Sequence, residues 1–254
     1  MRRVRWSQGR RGRRTRRSAG SKVLLSRRGW RRRPVPIFLF DLDNTLYDAN
    51  RHCFPHMHAF IHDYLMRRLG LDETGASALR QHYWRRYGTT LAGLMRHHAV
   101  DPVEFLESIH PPALAATVPP DRSLRQWLRH LPGPAFVFTN SVASHARRVL
   151  ARLGVEDQFA GIFDMHFADY RGKPDAQVYR RILRSLRVPS WRCIFFDDSR
   201  ANLRTARWLG MHTVHISHRR HPVKGALQLA SPAQWRRPLE GFGWDRRTAT
   251  VRGR

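Results

Sequence analysis

Long apolar runs, cysteine and acid are all scarce in this chain of 254 residues. No stretch approaches the roughly 18 consecutive apolar residues that a membrane-spanning helix needs, so no membrane partner is expected. The two cysteines, Cys53 and Cys193, lie far apart and cannot form a disulfide framework; a reducing cytoplasm is the expected setting. Acids number 19 against 47 Lys and Arg, a net charge of +28. That imbalance is uneven: residues 1–33 hold fourteen arginines, one lysine and no acid. With too few apolar residues for a core, 1–33 reads as a disordered Arg-rich tail, either a solvated extension or an arm for nucleic acid. "SRRGW" followed by "VPIFLF" imitates a twin-arginine export signal, but six apolar residues running into acids make a poor one.

Beyond the tail, short apolar runs alternate with helical patterns. The expected strands are 35–40, 135–139, 161–167, 193–198 and 212–217, rich in Phe, Val and Ile with little alternation, as in strands covered on both faces. Between them, "SHARRVLARLG" places Ala146, Val149, Leu150 and Leu153 on one face and stops at Gly154. "DAQVYRRILRSLRV" does the same with Val178, Ile182, Leu183 and Leu186, and "RANLRTARWLG" ends at Gly210. Repeated strand–helix units predict an α/β fold, a doubly wound Rossmann-like parallel sheet.

Residues 41–134 break the alternation, being far more than one crossover helix requires. They read as helical: Met57, Phe60, Ile61, Tyr64 and Leu65 share a face, and Asp101-Pro102 opens a further helix with Glu104 at its third position. The expected organisation is a core of 34–48 and 132–220, an all-helical subdomain over 49–131, and a C-terminal extension over 221–254.

Ligands in doubly wound sheets bind outside the carboxyl ends of the strands. The first strand ends in Asp41-Leu42-Asp43, the second in Thr139-Asn140-Ser141 and the fourth in Asp197-Asp198-Ser199; Lys173 follows the third. Alone, each is an ordinary turn or cap. Together and in order they suit phosphoryl transfer, in which a carboxylate attacks phosphorus and water hydrolyses the acyl phosphate. Massed carboxylates imply a hard divalent cation, for which Mg²⁺ is the natural choice. Thr139, the amide of Asn140 and Lys173 would orient the phosphoryl oxygens.

"DLDNTLY", "FTNS", "GKPD" and "FFDDS" resemble the four motifs of the haloacid dehalogenase-like hydrolase superfamily. The resemblance implies Asp41 as nucleophile and metal ligand, and Asp43 as general acid and base with its backbone carbonyl on the metal. It implies Thr139 and Lys173 as phosphoryl holders, Asp198 as a direct metal ligand, and Asp197 as a ligand or a support behind it. The second acid of the first motif favours a phosphatase over a dehalogenase. The helical insert corresponds to the family's substrate-selecting cap, and "YGTTLAGLMRHHAVDPVEFLESIH" (87–110) resembles that of the pyrimidine 5′-nucleotidase branch. The implied substrate is a small phosphate monoester of the UMP or CMP kind. The alternatives are a phosphatase or phosphomutase for a phosphorylated sugar or small acid, and a nucleic-acid-binding protein acting through its tail. Tyr87, Gly88, Thr89 and Thr90 are the specificity candidates; His58 and His62, four apart, read as a polar helix face rather than a zinc site.

Overall fold

The computed structural model describes residues 35–217, together with the backbone of three short strands at Leu227–Leu229, Trp244–Asp245 and Thr250–Val251. The Arg-rich segment 1–33 and most of the 221–254 extension lie outside the described residues. The chain runs through β1 (Ile37–Phe40), then α1 (Ala49–His52), α2 (Phe54–Leu69), α3 (Glu73–Tyr87), α4 (Thr90–His97), α5 (Pro102–Ile109) and α6 (Arg122–Leu128). It continues as β2 (Ala135–Phe138), α7 (Ala143–Leu153), β3 (Phe159–Phe163), α8 (Ala176–Leu186), β4 (Cys193–Asp197), α9 (Arg200–Trp208) and β5 (His212–Ile216). The Leu227–Leu229 strand is β6, and the remaining pair, β7 and β8, forms a separate two-stranded ribbon.

The main sheet is parallel throughout, in the order β3-β2-β1-β4-β5-β6. Its central strands are buried on both faces, and the alternation of side chains sorts them into two layers. Phe38, Phe40, Val137, Ile194 and Phe196 face one side with α6 and α7; Ile37, Leu39, Phe136, Phe138 and Phe195 face the other with α8 and α9. Trp127 of α6 sets its ring edge-on to Phe40 and Phe196, each 5.9 Å away between centroids. No helix among the described residues is long and apolar enough to cross a membrane.

The third strand occupies 159–163 rather than 161–167. Asp164 ends it, because its carboxylate accepts backbone N–H groups from Phe167 and from Ala143 at the start of α7, both at 2.9 Å. A buried carboxylate with one local and one distant backbone partner turns the chain more effectively than the apolar residues after it prolong a strand. On α2 the buried stripe is Met57, Ile61, Tyr64 and Leu65, and Phe60, expected among them, is 36% exposed at its margin. On α8, Leu183 and Leu186 pack only partly, while Tyr179, unremarked in the sequence, is fully buried.

Gly88 ends α3 in the left-handed conformation, with φ of +85°, and Thr89 begins α4 as its N-cap, its hydroxyl accepting from Ala92 N. Glycine adopts that backbone without the Cβ penalty other residues incur. The resulting hairpin carries the α3–α4 turn down onto the loop around Lys173.

Candidate active site

Pairing of β1 between β2 and β4 places the strand ends side by side, and Asp41 N donates to Phe196 O at 2.9 Å. The chain then turns sharply through Asn44, at φ of +61°, which aims Asp41 and Asp43 to different sides. Asp41 accepts Lys173 Nζ on Oδ1 at 2.6 Å and Thr45 Oγ1 on Oδ2 at 3.1 Å. Asp43 accepts Tyr47 Oη on Oδ1 at 2.5 Å and Ser141 Oγ on Oδ2 at 3.1 Å.

Lys173 is buried and fully coordinated. Its ammonium donates to Asp41, to Asp197 Oδ2 at 2.9 Å and to the Phe138 carbonyl at 2.8 Å. Burial alone would lower its pKa, but the charges of Asp197 and Asp41 prevail and push it up to about 12. Asn140 clamps the same residue, its side chain accepting from Lys173 N at 2.7 Å and donating to Lys173 O at 3.1 Å. The Asn140 side chain, expected to orient phosphoryl oxygens, is thus committed to the lysine loop. Thr139 is buried at the end of β2, its hydroxyl accepting from Ser141 N at 2.9 Å.

Asp197 is wholly buried, and both its oxygens are engaged: Asn202 Nδ2 reaches each at 3.0 Å, Ser199 N donates to Oδ1, and Lys173 holds Oδ2. Asp198 is half-buried beside it. Burial first, then the Asp197 charge, push the Asp198 carboxyl up to about 7. Burial also raises Asp41 well above the usual carboxylate range, with the neighbouring acids adding to it and Lys173 opposing. Oxygen atoms of Asp41, Asp197 and Asp198 all lie within 4.8 Å of one another. Four carboxylates here meet a single ammonium, and an all-oxygen donor set with surplus negative charge fits a hard divalent cation.

Asp43 behaves differently. Burial would raise it, but His145 and the Tyr47 hydrogen bond hold it below the ordinary carboxylate value. His145 is fully buried with Nε2 3.9 Å from Asp43 Oδ1, too long for a hydrogen bond and close enough for attraction. His110 Nε2 meets Ser141 Oγ at 3.3 Å, and burial, then His145, pull the His110 ring down to about 4, leaving it neutral. Tyr47 stands within the "DLDNTLY" motif and Ser141 within "FTNS", but their hydrogen bonds to Asp43 carry no sequence signal. His110 and His145 have none either, since their neighbours are distant in the chain.

Where the α3–α4 turn meets the Lys173 loop, a Cβ on Gly172 of the loop would lie 2.9 Å from Thr89 Cγ2 and 3.1 Å from Asn140 Nδ2, and one on Gly88 of the turn would lie 3.2 Å from Pro174 Cδ. The turn therefore touches the loop that carries Lys173. Thr90 is buried, and Tyr87 Oη pairs with His97 Nε2 at 2.6 Å. Tyr83 is buried with its hydroxyl on His98, whereas Trp84 is 64% exposed. His62 Nε2 accepts from Arg80 Nε at 3.2 Å, and His58 stacks on Phe54.

This is a Rossmann-like α/β fold with its acids gathered at the carboxyl edge of the sheet and a helical insertion after the first strand. Residues 35–210 match the haloacid dehalogenase-like hydrolase family, and the chain belongs to it. Phosphate metabolism protein 8 of Saccharomyces cerevisiae is 29% identical over 198 residues, covering 71% of this chain and 61% of that protein. The match thus spans less than two thirds of the yeast protein's length. Among solved structures, CbbY from Rhodobacter sphaeroides in complex with phosphate superposes with a TM-score of 0.57 at 21% identity, over 79% of this chain and 96% of that one. A phosphatase of the same superfamily from Thermococcus onnurineus gives a TM-score of 0.56 at 17% identity, over 82% and 99%. At these identities the two structures speak to the fold alone.

Proposed function

We propose that the chain is a Mg²⁺-dependent phosphatase that hydrolyses nucleoside 5′-monophosphates, with UMP and CMP as its preferred class, through an aspartyl phosphate on Asp41. The observation that carries this reading is the division of labour between Asp41, fixed against Lys173, and Asp43, held apart by Tyr47 and Ser141.

Asp41 attacks the phosphorus through its carboxylate, and the bond from phosphorus to the nucleoside oxygen breaks. Asp43, ionised at rest, takes up a proton as the anionic phosphate group binds beside it and gives that proton to the leaving oxygen. It then takes a proton from the water that attacks the acyl phosphate, releasing inorganic phosphate and restoring both carboxyls. The Thr139 hydroxyl and the backbone N–H of Asn140 hold the phosphoryl oxygens in line, and Lys173 joins them by turning to the phosphoryl group the hydrogen it gives Asp41 in the resting site. Asp41, Asp198 and the Asp43 carbonyl would hold Mg²⁺, which when bound neutralises charge gathering on the phosphoryl group. Asp197, with every oxygen committed, supports this set by fixing Lys173 rather than by binding the cation itself.

The helical insert, 49–131, is the substrate-selecting cap over a core of 34–48 and 132–220, working in the cytoplasm. What supports the nucleotide assignment is that the "YGTT" turn, part of the stretch resembling pyrimidine 5′-nucleotidases, lies against the Lys173 loop. The test is phosphate release, with Mg²⁺, from a panel of nucleoside monophosphates and sugar phosphates. UMP and CMP are expected to lead, and Asp41→Asn to abolish turnover of every substrate. Turnover of a sugar phosphate with none of a pyrimidine monophosphate would overturn the substrate assignment, and activity surviving in Asp41→Asn would overturn the mechanism.

A further inference from the structure

His110 closes α5 within the inserted helices, yet its ring reaches the Asp43 side of the site. The ring is nearly out of solvent, with Nδ1 2.8 Å from the Leu106 carbonyl and Nε2 3.3 Å from Ser141 Oγ. Ser141 Oγ in turn donates to Asp43 Oδ2 at 3.1 Å. Arg148 of α7 donates from Nη2 to the His110 carbonyl at 2.8 Å, and the His145 ring lies 4.9 Å away between centroids. A continuous run of polar contacts therefore leads from an inserted helix to the carboxyl that handles the proton.

Counting hydrogens gives each contact its direction. A neutral imidazole has one N–H, and the Leu106 carbonyl can only accept, so the hydrogen is on Nδ1 and Nε2 is an acceptor. The single hydrogen of the Ser141 hydroxyl then faces two acceptors, Asp43 Oδ2 and His110 Nε2. The first is nearer and charged, and charge-assisted bonds are the stronger. The second takes the hydrogen when Asp43 no longer accepts it.

We propose that His110 is a positioning residue for Asp43, acting through Ser141. It gives the serine hydrogen a second acceptor, so that Ser141 donates to Asp43 when that carboxyl is ionised and can accept from it when it is protonated, and so ties the proton-transferring carboxyl to the seating of the inserted helices on the core. When Asp43 has taken a proton from water onto Oδ2, that O–H can donate to Ser141 Oγ while the serine hydrogen turns to His110 Nε2. This inference rests on the acid–base reading of Asp43 given above.

The experiment uses the full chain with Mg²⁺ and p-nitrophenyl phosphate as probe, comparing wild type, Asp41→Asn, His110→Phe, His110→Gln, Ser141→Ala and the His110→Phe/Ser141→Ala double variant. His110→Phe is expected to lower kcat about tenfold, the size of one lost hydrogen bond, while KM stays within about twofold. Ser141→Ala should lose a similar factor, and the double variant no more than the worse single, because the two act as a unit. His110→Gln, which keeps an acceptor, should recover much of the loss. An unchanged kcat in His110→Phe, a loss confined to KM, or single losses that multiply in the double variant would each overturn the proposal. Should His110→Phe fail to fold, His110→Asn takes its place in the same cycle. If wild type releases no phosphate, or Asp41→Asn still does, the aspartyl-phosphate reading fails and this inference with it. If those two controls behave as expected and His110→Phe keeps full kcat, the positioning role alone fails.

Discussion

The ammonium of Lys173 has three hydrogens and three acceptors, Asp41, Asp197 and the Phe138 carbonyl. Arginine fills nearly every other basic position in this chain, whose lysines are Lys22, Lys173 and Lys224. A guanidinium is a broad planar fork, and a pocket between two carboxylates and the rings of Phe138 and Phe195 suits a compact point charge instead. A second consequence concerns the acids. A carboxyl whose folded pKa exceeds its unfolded one favours folding below the unfolded value, and that advantage disappears as pH rises through the folded value. Asp198, pushed from 3.8 to about 7, and Asp41, raised in the same direction, therefore cost the cation-free protein stability across that interval. A divalent cation relieves the same crowding. Mg²⁺ is thus expected to raise Tm by several degrees at about pH 8 and by little at about pH 5, read by thermal unfolding in EDTA and in excess Mg²⁺. Asp198→Asn should remove the gain at the higher pH. An equal gain at both pH values would mean that Mg²⁺ binds elsewhere.

At the scale of elements, the α3–α4 hairpin bears on the Lys173 loop through a gap that admits glycine and little else. A methyl at Gly172 meets Thr89 Cγ2 at 2.9 Å and Asn140 Nδ2 at 3.1 Å, so Gly172→Ala must displace the hairpin, the Asn140 clamp, or both. A shift of even a fraction of an ångström in the phosphoryl holder costs rate, and kcat/KM is expected to fall about tenfold or more. Thr89→Ser removes the offending methyl and keeps the hydroxyl that caps α4, so adding it to Gly172→Ala should restore part of the activity. No restoration would show that the Asn140 side of the gap dominates.

The same elements show how far the sequence could be read. Strand ends carrying Asp41, Thr139 and Asp197 were legible because apolar runs stop where a polar residue must stay at the sheet edge. The end of β3 was not, since Asp164 terminates it with hydrogen bonds that a run of apolar residues gives no hint of. His110, His145 and Asn202 were illegible for a related reason: what each does depends on where a distant element lands. Ser141 reaches Asp43 across 98 residues, a separation no local pattern encodes.

For the whole molecule, the inserted helices and the sheet share one apolar interior. Phe40 and Phe196 of the sheet, Leu42, Leu46, Tyr47, Ala49, Cys53, Leu114 and Val118, and Tyr83, Leu91 and Leu94 of the α3–α4 hairpin all belong to one buried cluster. An insertion with its own core would be free to unfold by itself; one that completes the core of its host is coupled to it. Leu94→Ala, at a position with no solvent exposure, is expected to cost about 3 kcal/mol, the range for a buried leucine truncated to alanine. Coupling makes that loss global, so the chain should still unfold in a single transition with its midpoint lowered. Hydrogen exchange read by mass spectrometry separates the two cases. In Leu94→Ala, peptides from α3–α4 and from β1 and β4 should lose protection together. Loosening of α3–α4 with wild-type protection in β1 and β4 would instead make the inserted helices an independent unit, and the link from His110 to Asp43 would then join two separately folding bodies.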